Sequence, residues 1–299
     1  MRIALKILRY DPERPAGPRF ETFEVEADPG SRLLDVLLHI QRRVDPSLAF
    51  RRSCAHGVCG SDAMVVNGKE RLACKTLVRD LVSADGADGG GESGGSGGEV
   101  TIEPLRAMNV IRDLVVDERR FFDRYRAVKP YLIDGGEAEG GREKPEDAGG
   151  PADSGPEPAQ ASPDQESGGS GEGREAPYVG TAVPLLHRES LQTPDQRKVI
   201  DEATNCILCA SCFSACPVVR MVHPGFIGPA AILQAYRFQE DSRDRGFEER
   251  LEVLDHRDGV WPCESRFECT RVCPRGIKVT KHINLTKRRI LDAKGGKKV

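Results

Sequence analysis

The sequence predicts an α+β protein in two parts, a small domain with strands followed by a mostly helical one. Three observations carry this. Near the N-terminus apolar residues alternate with polar ones in two stretches. From Leu185 onward they recur at helical spacing, without strand-like alternation. All ten cysteines fall into three groups, one in the first half of the chain and two in the second.

"RIALKILRY" and "RFETFEVEA" alternate as edge or hairpin strands do. "DPGSRLLDVLLHIQRRV" then opens on turn residues, with Ser31 as the expected cap. Leu33, Val36, Leu37 and Ile40 follow on one helical face. After the first cysteines, "GEVTIEPL" reads as a closing strand. The first domain therefore spans 1–105, with a Gly/Ser-rich loop at 83–98. "AMNVIRDLVVDERRFFDRYRAVKPYL" places Val110, Leu114, Phe121 and Tyr125 on one face and predicts a connecting helix within 106–134. Between Gly135 and Gly180 stand eleven acidic and three basic residues, and Val179 alone represents Val, Ile, Leu, Met and Phe. Such a segment has too little apolar surface to offset its ordering entropy, so 135–180 is expected to be a disordered acidic insertion. The helical domain occupies 181–299, with "GPAAILQAYRFQEDSRD" as a clear helix. Its tail, Lys278–Val299, carries eight Lys/Arg against one Asp. An anionic membrane surface, a partner subunit or plain solvent would each suit that face.

Composition narrows the function. Of 299 residues, 38% are hydrophobic and 5% aromatic, low enough that either the core is small or part of the chain never folds. The net charge of -3 favours no partner class. No apolar run reaches the roughly 18 residues a bilayer requires, and the N-terminus turns polar too soon for a secretory signal. The expected compartment is cytosolic, where thiols stay reduced and ten cysteines point to metal rather than disulfides. No basic patch interleaved with stacking aromatics suggests nucleic acid.

Cys206, Cys209, Cys212 and Cys216, followed by Pro217, have the spacing C-x2-C-x2-C-x3-C-P. That is the bacterial ferredoxin run, in which the fourth cysteine serves the other of two clusters. A zinc site, which pairs C-x2-C halves or mixes in histidine, fits poorly. The third group, Cys263, Cys269 and Cys273, matches the same template except that Arg266 stands where a cysteine belongs. Exchanging the fourth cysteines gives Cys206, Cys209, Cys212 and Cys273 to a [4Fe–4S] cluster. It leaves Cys216, Cys263 and Cys269 for a [3Fe–4S] cluster, or for a [4Fe–4S] cluster completed by water or Glu264. The first group reads C-x4-C-x2-D-x11-C: Cys54, Cys59, Asp62 and Cys74. Plant-type [2Fe–2S] ferredoxins carry a third cysteine at the position of Asp62. Either the Asp62 carboxylate ligates iron, or it caps the loop while Ser61 or water ligates. Clusters of two, four and three irons need eleven protein ligands, which ten cysteines and Asp62 supply. Gly57, Gly60 and Ser61 would let backbone N–H groups approach the sulfides. With three clusters and no nucleophile–base pair or nucleotide loop in evidence, the chain reads as an electron wire.

"FRRSCAHGVCGSDAMVVNGKERLAC", "NVIRDLVVD", "NCILCASCFSACP", "FIGPAAILQAYRFQEDSRD" and "CTRVCPRGI" together resemble the iron–sulfur subunit of succinate dehydrogenase and fumarate reductase. The resemblance covers most of 1–134 and 185–299 and neither Gly-rich segment. It implies a β-grasp ferredoxin domain followed by an α-helical ferredoxin domain. It also implies a flavoprotein subunit bearing FAD, membrane anchor subunits, quinone as acceptor, and a peripheral place on the cytoplasmic side of the cell membrane. Some members have Asp at the position of Asp62. Pro217, Arg220 and Trp261 are the candidates for the quinone vicinity, although Trp261 suits a core or interface better than a quinone contact. This sequence departs from the pattern where a tryptophan pair is usual (Arg220, Met221), where His is common (Glu264) and where an apolar residue is usual (Arg266). His223 reads as a polar surface or interface residue. A carrier serving a soluble reductase is the alternative function, and the direction, succinate oxidation or fumarate reduction, is not written in these residues.

Overall fold

The structure, a computed structural model, describes residues 1–14, 17–82, 99–133 and 190–295. The Gly/Ser-rich loop 83–98, the acidic stretch 135–180 and the last four residues of the basic tail lie outside the described residues.

The first domain is a five-stranded mixed sheet with a helix across one face. Strands β1 (Arg2–Arg9), β2 (Arg19–Glu26), β3 (Ala63–Val66), β4 (Lys69–Leu72) and β5 (Glu99–Glu103) lie in the order β2-β1-β5-β3-β4. β1 pairs antiparallel with β2 and parallel with β5, while β3 runs antiparallel to both β5 and β4. Ile3, Leu5 and Ile7 of β1 point inward with Phe23, Val25, Val100 and Ile102. Helix α1 (Leu33–Arg43) covers them with Leu33, Leu34, Val36, Leu37 and Ile40, and a short helix α2 (Val78–Val82) comes after β4 in the chain. This is the β-grasp arrangement. β1 does form a hairpin with β2, but it is an interior strand, because β5 closes the sheet along its other side. Ser31 is not the cap. Its N–H donates to Asp28 O at 2.9 Å within the preceding turn, and Arg32 precedes the helix, its N–H bonded to Asp35 Oδ2 at 3.1 Å.

Period-two alternation also puts Arg9 on the inner face, at 6% exposure. A guanidinium there must be paired. Its Nε donates to Asp113 Oδ1 at 3.1 Å, Nη1 to Glu21 at 2.8 Å and to Asp45, and Nη2 to Ser47 Oγ at 2.9 Å. Asp113 also accepts from the N–H groups of Tyr10 (3.0 Å) and Ala49 (2.8 Å). It sits at φ +45 in a turn between β6 (Val110–Arg112) and β7 (Val115–Val116). The helix expected across 106–134 is therefore only half present. A hairpin pinned by Asp113 occupies its first part, and α3 (Arg119–Ala127) follows. Helical spacing of Val110 and Leu114 was coincidental; the buried ion pair with Arg9 decides the local structure.

Among the described residues the second domain contains helices α4 (Pro194–Thr204), α5 (Ser211–Ala215), α6 (Pro229–Gln239), α7 (Phe247–Leu254), α8 (Glu268–Arg271) and α9 (Val279–Ala293), and no strand. α6 is buried nearly all round, from Ala230 through Phe238, as a helix at the centre of a core must be. α4, α7 and α9 pack against it. The expected helix through Asp244 stops at Gln239; Asp244 instead accepts a hydrogen bond from the fully buried Arg250 at 2.6 Å.

The two domains meet along β4 and α5. Ser214 Oγ donates to the buried Glu70 carboxylate at 2.8 Å and accepts from Arg106 N–H at 2.8 Å. Ile207 and Cys209 pack onto the core of the first domain.

Candidate metal centres

The first cysteine group lies on the loop between α1 and β3 and on the short 3-10 turn Ala73–Lys75 after β4. β3 and β4 form a hairpin whose register, Ala63 opposite Leu72, brings Asp62 beside Cys74. The loop wraps its backbone around Cys54: the N–H groups of His56, Val58 and Cys59 lie 3.5, 3.4 and 3.3 Å from Cys54 Sγ. Those donors, His56 foremost, hold the Cys54 thiol down at about 6. Cys74 is the opposite case. Burial, and then the adjoining Asp62 carboxylate, push it up to about 12. Asp62 is itself 2% exposed. One oxygen, Oδ2, accepts from Cys74 N–H at 2.6 Å, and Oδ1 has no hydrogen-bond partner. An orphaned buried carboxylate oxygen is costly unless something cationic meets it. The site thus offers three sulfurs and one oxygen, and an iron centre fits them.

In the second domain the cysteines sort into two sets. Cys206, Cys209, Cys212 and Cys273 line one void together with Ile207, Leu208 and Ala230, and Cys212 also lies close enough to Cys269 of the other set to interact with it. Cys216 and Cys269 each interact with Cys263. Burial raises the thiols of Cys206, Cys209, Cys212 and Cys216, and that of Cys269 to about 11. Among the described residues no three His, Cys, Asp or Glu side chains converge as one metal ion requires. Sulfurs spread around a void suit a polynuclear cluster instead.

The two C-terminal loops have the same backbone shape. Leu208 and Ala210 are left-handed at φ +53 and +59, and helix α5 starts at the next residue. Ser265 and Phe267 are left-handed at φ +54 and +63, and α8 starts at the next. Cys206 corresponds to Cys263, Cys209 to Arg266, Cys212 to Cys269 and Cys216 to Cys273. Arg266 therefore stands in its loop where Cys209 stands in the other. Its guanidinium turns away and pairs with Glu264 at 2.8 Å.

The first loop also touches the second. Gly60, at φ +71, lies so close to Cys209 that a Cβ would stand 2.6 Å from Cys209 Cβ and 3.0 Å from its Cα. Only glycine permits both that backbone angle and that approach.

Of the remaining candidates, Pro217 and Arg220 line one cleft together with Arg106 and Arg266. Trp261 is not among the residues lining it; its Nε1 donates to Asp255 Oδ1 at 3.0 Å and its ring packs on the helical core. His223 pairs with Asp258 at 2.6 Å. Sequence reasoning weighed Ser61 only as a stand-in ligand for Asp62 and passed over the hydroxyls of Ser211 and Thr280. Ser61 Oγ lies 3.2 Å from Cys59 Sγ, Ser211 Oγ 3.4 Å from Cys209 Sγ and Thr280 Oγ1 3.3 Å from Cys269 Sγ. A serine two residues past a cysteine is visible in sequence; Thr280 reaches its sulfur only through the fold.

Fold and donor sets define a two-domain iron–sulfur protein of the electron-transfer class. Residues 4–123 match a 2Fe-2S iron-sulfur cluster binding domain and residues 202–277 a 4Fe-4S dicluster domain. The chain is 34% identical to the fumarate reductase iron-sulfur subunit of Haemophilus influenzae, over 94% of this chain and 90% of that one. It is 33% identical to the succinate dehydrogenase iron-sulfur subunit of Coxiella burnetii over 97% of each. With the mitochondrial succinate dehydrogenase [ubiquinone] iron-sulfur subunit 1 of Oryza sativa subsp. japonica it shares 35% identity, over 96% of this chain and 82% of that one. The chain belongs to the family of succinate dehydrogenase and fumarate reductase iron–sulfur subunits. Its fold is that of a chain in the Mycobacterium smegmatis Sdh1 complex in the apo form, with a TM-score of 0.70, 23% identity and coverage of 100% and 99%. It is an oxidoreductase subunit that transfers electrons. Among the described residues no helix is long and apolar enough to cross a membrane.

Proposed function

We propose that this chain carries electrons between the FAD of a flavoprotein subunit and quinone, in a succinate:quinone oxidoreductase held at the cytoplasmic side of the membrane by anchor subunits. Cys54, Cys59, Asp62 and Cys74 hold a [2Fe–2S] cluster in the domain 1–105. Cys206, Cys209, Cys212 and Cys273 hold a [4Fe–4S] cluster, and Cys216, Cys263 and Cys269 a [3Fe–4S] cluster, in the domain 181–299. Each cluster, when bound, accepts and releases one electron. The backbone N–H groups around Cys54 stabilise the thiolate that ligates there, and burial of the second domain's cysteines keeps water from their sulfurs. Pro217 and Arg220 belong to the acceptor side, on the cleft beside Cys216.

The observation that supports this reading best is the void that Cys206, Cys209, Cys212 and Cys273 line together, with Gly60 joining the first loop to Cys209. EPR-monitored redox titration of the purified complex, with iron and sulfide quantification, tests it. The expected result is three distinct centres, one a three-iron signal in the oxidised protein. Asp62→Cys should keep a [2Fe–2S] signal, whereas Asp62→Ala should weaken or abolish it. An unchanged two-iron signal in Asp62→Ala would remove Asp62 from the ligand set, and a complex purified without membrane subunits or quinone reductase activity would point to a soluble carrier.

A further inference from the structure

We infer that Thr270 and Thr280 form an oriented hydroxyl relay that aims one proton at the Cys269 sulfur and raises the reduction potential of the cluster held there. The inference rests on the assignment of Cys269 as a ligand.

The argument is a count of protons. Thr280 N–H donates to Thr270 Oγ1 at 3.0 Å, so that hydroxyl oxygen is already an acceptor. Thr270 Oγ1 in turn donates to Thr280 Oγ1 at 3.0 Å. Thr280 Oγ1 is then supplied with a proton from one side, and its own proton has one remaining partner, Cys269 Sγ at 3.3 Å. A ligating cysteine is a thiolate and has no proton to offer, so the direction agrees from both ends. The backbone fixes the start of the chain. Thr280 lies in the first turn of α9, where N–H groups lack partners within the helix, and Thr270 in α8 takes one of them. Thr280 is 1% and Cys269 7% exposed, so water does not compete for either end.

This arrangement differs from the other two hydroxyl–sulfur contacts. Ser61 and Ser211 stand two residues from their cysteines, on the same loop, and no second side-chain hydroxyl orients either of them among the described residues. Only at Cys269 does a second element supply the hydroxyl and a third group lock its rotation. One-electron reduction adds negative charge to the cluster sulfurs. A donor fixed on one sulfur stabilises the reduced form more than the oxidised form, so the midpoint rises.

The test is the midpoint potential of this centre, read by EPR titration of the intact complex with the iron content checked. Thr280→Val, nearly the same shape without the hydroxyl, should lower the midpoint. A tenfold loss in the reduction equilibrium would read as about 59 mV for one electron. Thr280→Ser should restore it. Thr270→Val, which frees the Thr280 hydroxyl to rotate, should lower it by a smaller amount. The midpoints of the other two centres should stay in place. Loaded Thr280→Val and Thr270→Val proteins with unshifted midpoints would overturn the relay. Should Thr280→Val fail to load, the Thr270→Val midpoint decides alone, a downward shift supporting the relay and no shift overturning it. The cluster assignment is judged separately, by the wild-type signal: a four-iron centre at this site would refute the three-iron reading, while the threonine shifts would be measured on that centre instead.

Discussion

The N-terminal and C-terminal cysteines sit in their domains in opposite ways. In the first domain the sheet and α1 build a core of their own, and of the three cysteines there only Cys74 enters it. Cys54 stays on an outer loop, its thiolate held by backbone N–H groups. In the second domain Cys216 and Cys269 are core residues, and Cys206, Cys212, Cys263 and Cys273 pack directly against that core. Burial there raises the thiols, which means that bare thiolates are destabilised and need a cation to balance them. In the first domain most of the candidate ligands lie at the edge of a core that is complete without them; in the second most of them belong to the core or pack on it. The difference predicts that cluster binding and folding are separable in the first domain and joined in the second.

The largest effect should come from removing iron. Chelation under reducing conditions should unravel the helical domain, with proteolysis falling first within 202–277, while the sheet of the first domain survives. Simultaneous loss of both would break the comparison. Next in size, Arg9→Met should destabilise the first domain by about 3–5 kcal/mol, as expected when a buried ion pair loses one partner, with the cysteines untouched; thermal or denaturant unfolding would read it. The same cluster predicts acid sensitivity. Burial opposes ionisation of Asp45, but hydrogen bonds from Ser47 and Arg9 prevail and hold it at about 2, below its ordinary 3.8. Its stabilising contribution is complete above the ordinary value and fades as pH falls toward 2. Arg266→Cys should alter stability little and change the signal, replacing the three-iron EPR line of the oxidised protein with that of a reduced four-iron cluster. A persisting three-iron line would count against the correspondence of the two loops. The smallest effect is expected from Gly60→Ala, which should weaken the spin–spin interaction between the reduced two-iron and four-iron centres. Gly57→Ala is the control: it suffers similar backbone strain at φ +81, but its Cβ would meet only the Lys75 side chain. Equal loss of coupling in both would assign the effect to strain rather than to contact with Cys209.

Much of this was legible in the sequence. Cysteine spacing is local chemistry, so the three groups and the anomaly at Arg266 could be read directly, and the periodicity of α1 matches the face it buries. The hairpin of β3 and β4 was missed although its signal was present. Asn67-Gly68, both at positive φ, is a two-residue turn of the kind that joins hairpin strands, hidden among cysteines that drew the reading elsewhere. The β6–β7 hairpin was missed for a different reason. Asp113 is decisive only because Arg9, far away in sequence, needs a buried partner, and no local window contains both. The Thr270–Thr280 relay and the contact of Gly60 with Cys209 belong to the same class: they join segments that meet only once the chain has folded.

The paired left-handed residues have a consequence for how variable such a protein can be. Leu208, Ala210, Ser265 and Phe267 all adopt an angle that disfavours side chains by about 1–2 kcal/mol each, and the second pair keeps it around a residue that is no ligand. The curve of the loop is thus a property of the peptide and its packing, written independently of which atoms touch metal. On the proposed ligand assignment, cluster stoichiometry is a one-letter variable set on a constant frame, expected to change by substitution at position 266 without any rebuilding of the architecture that surrounds it.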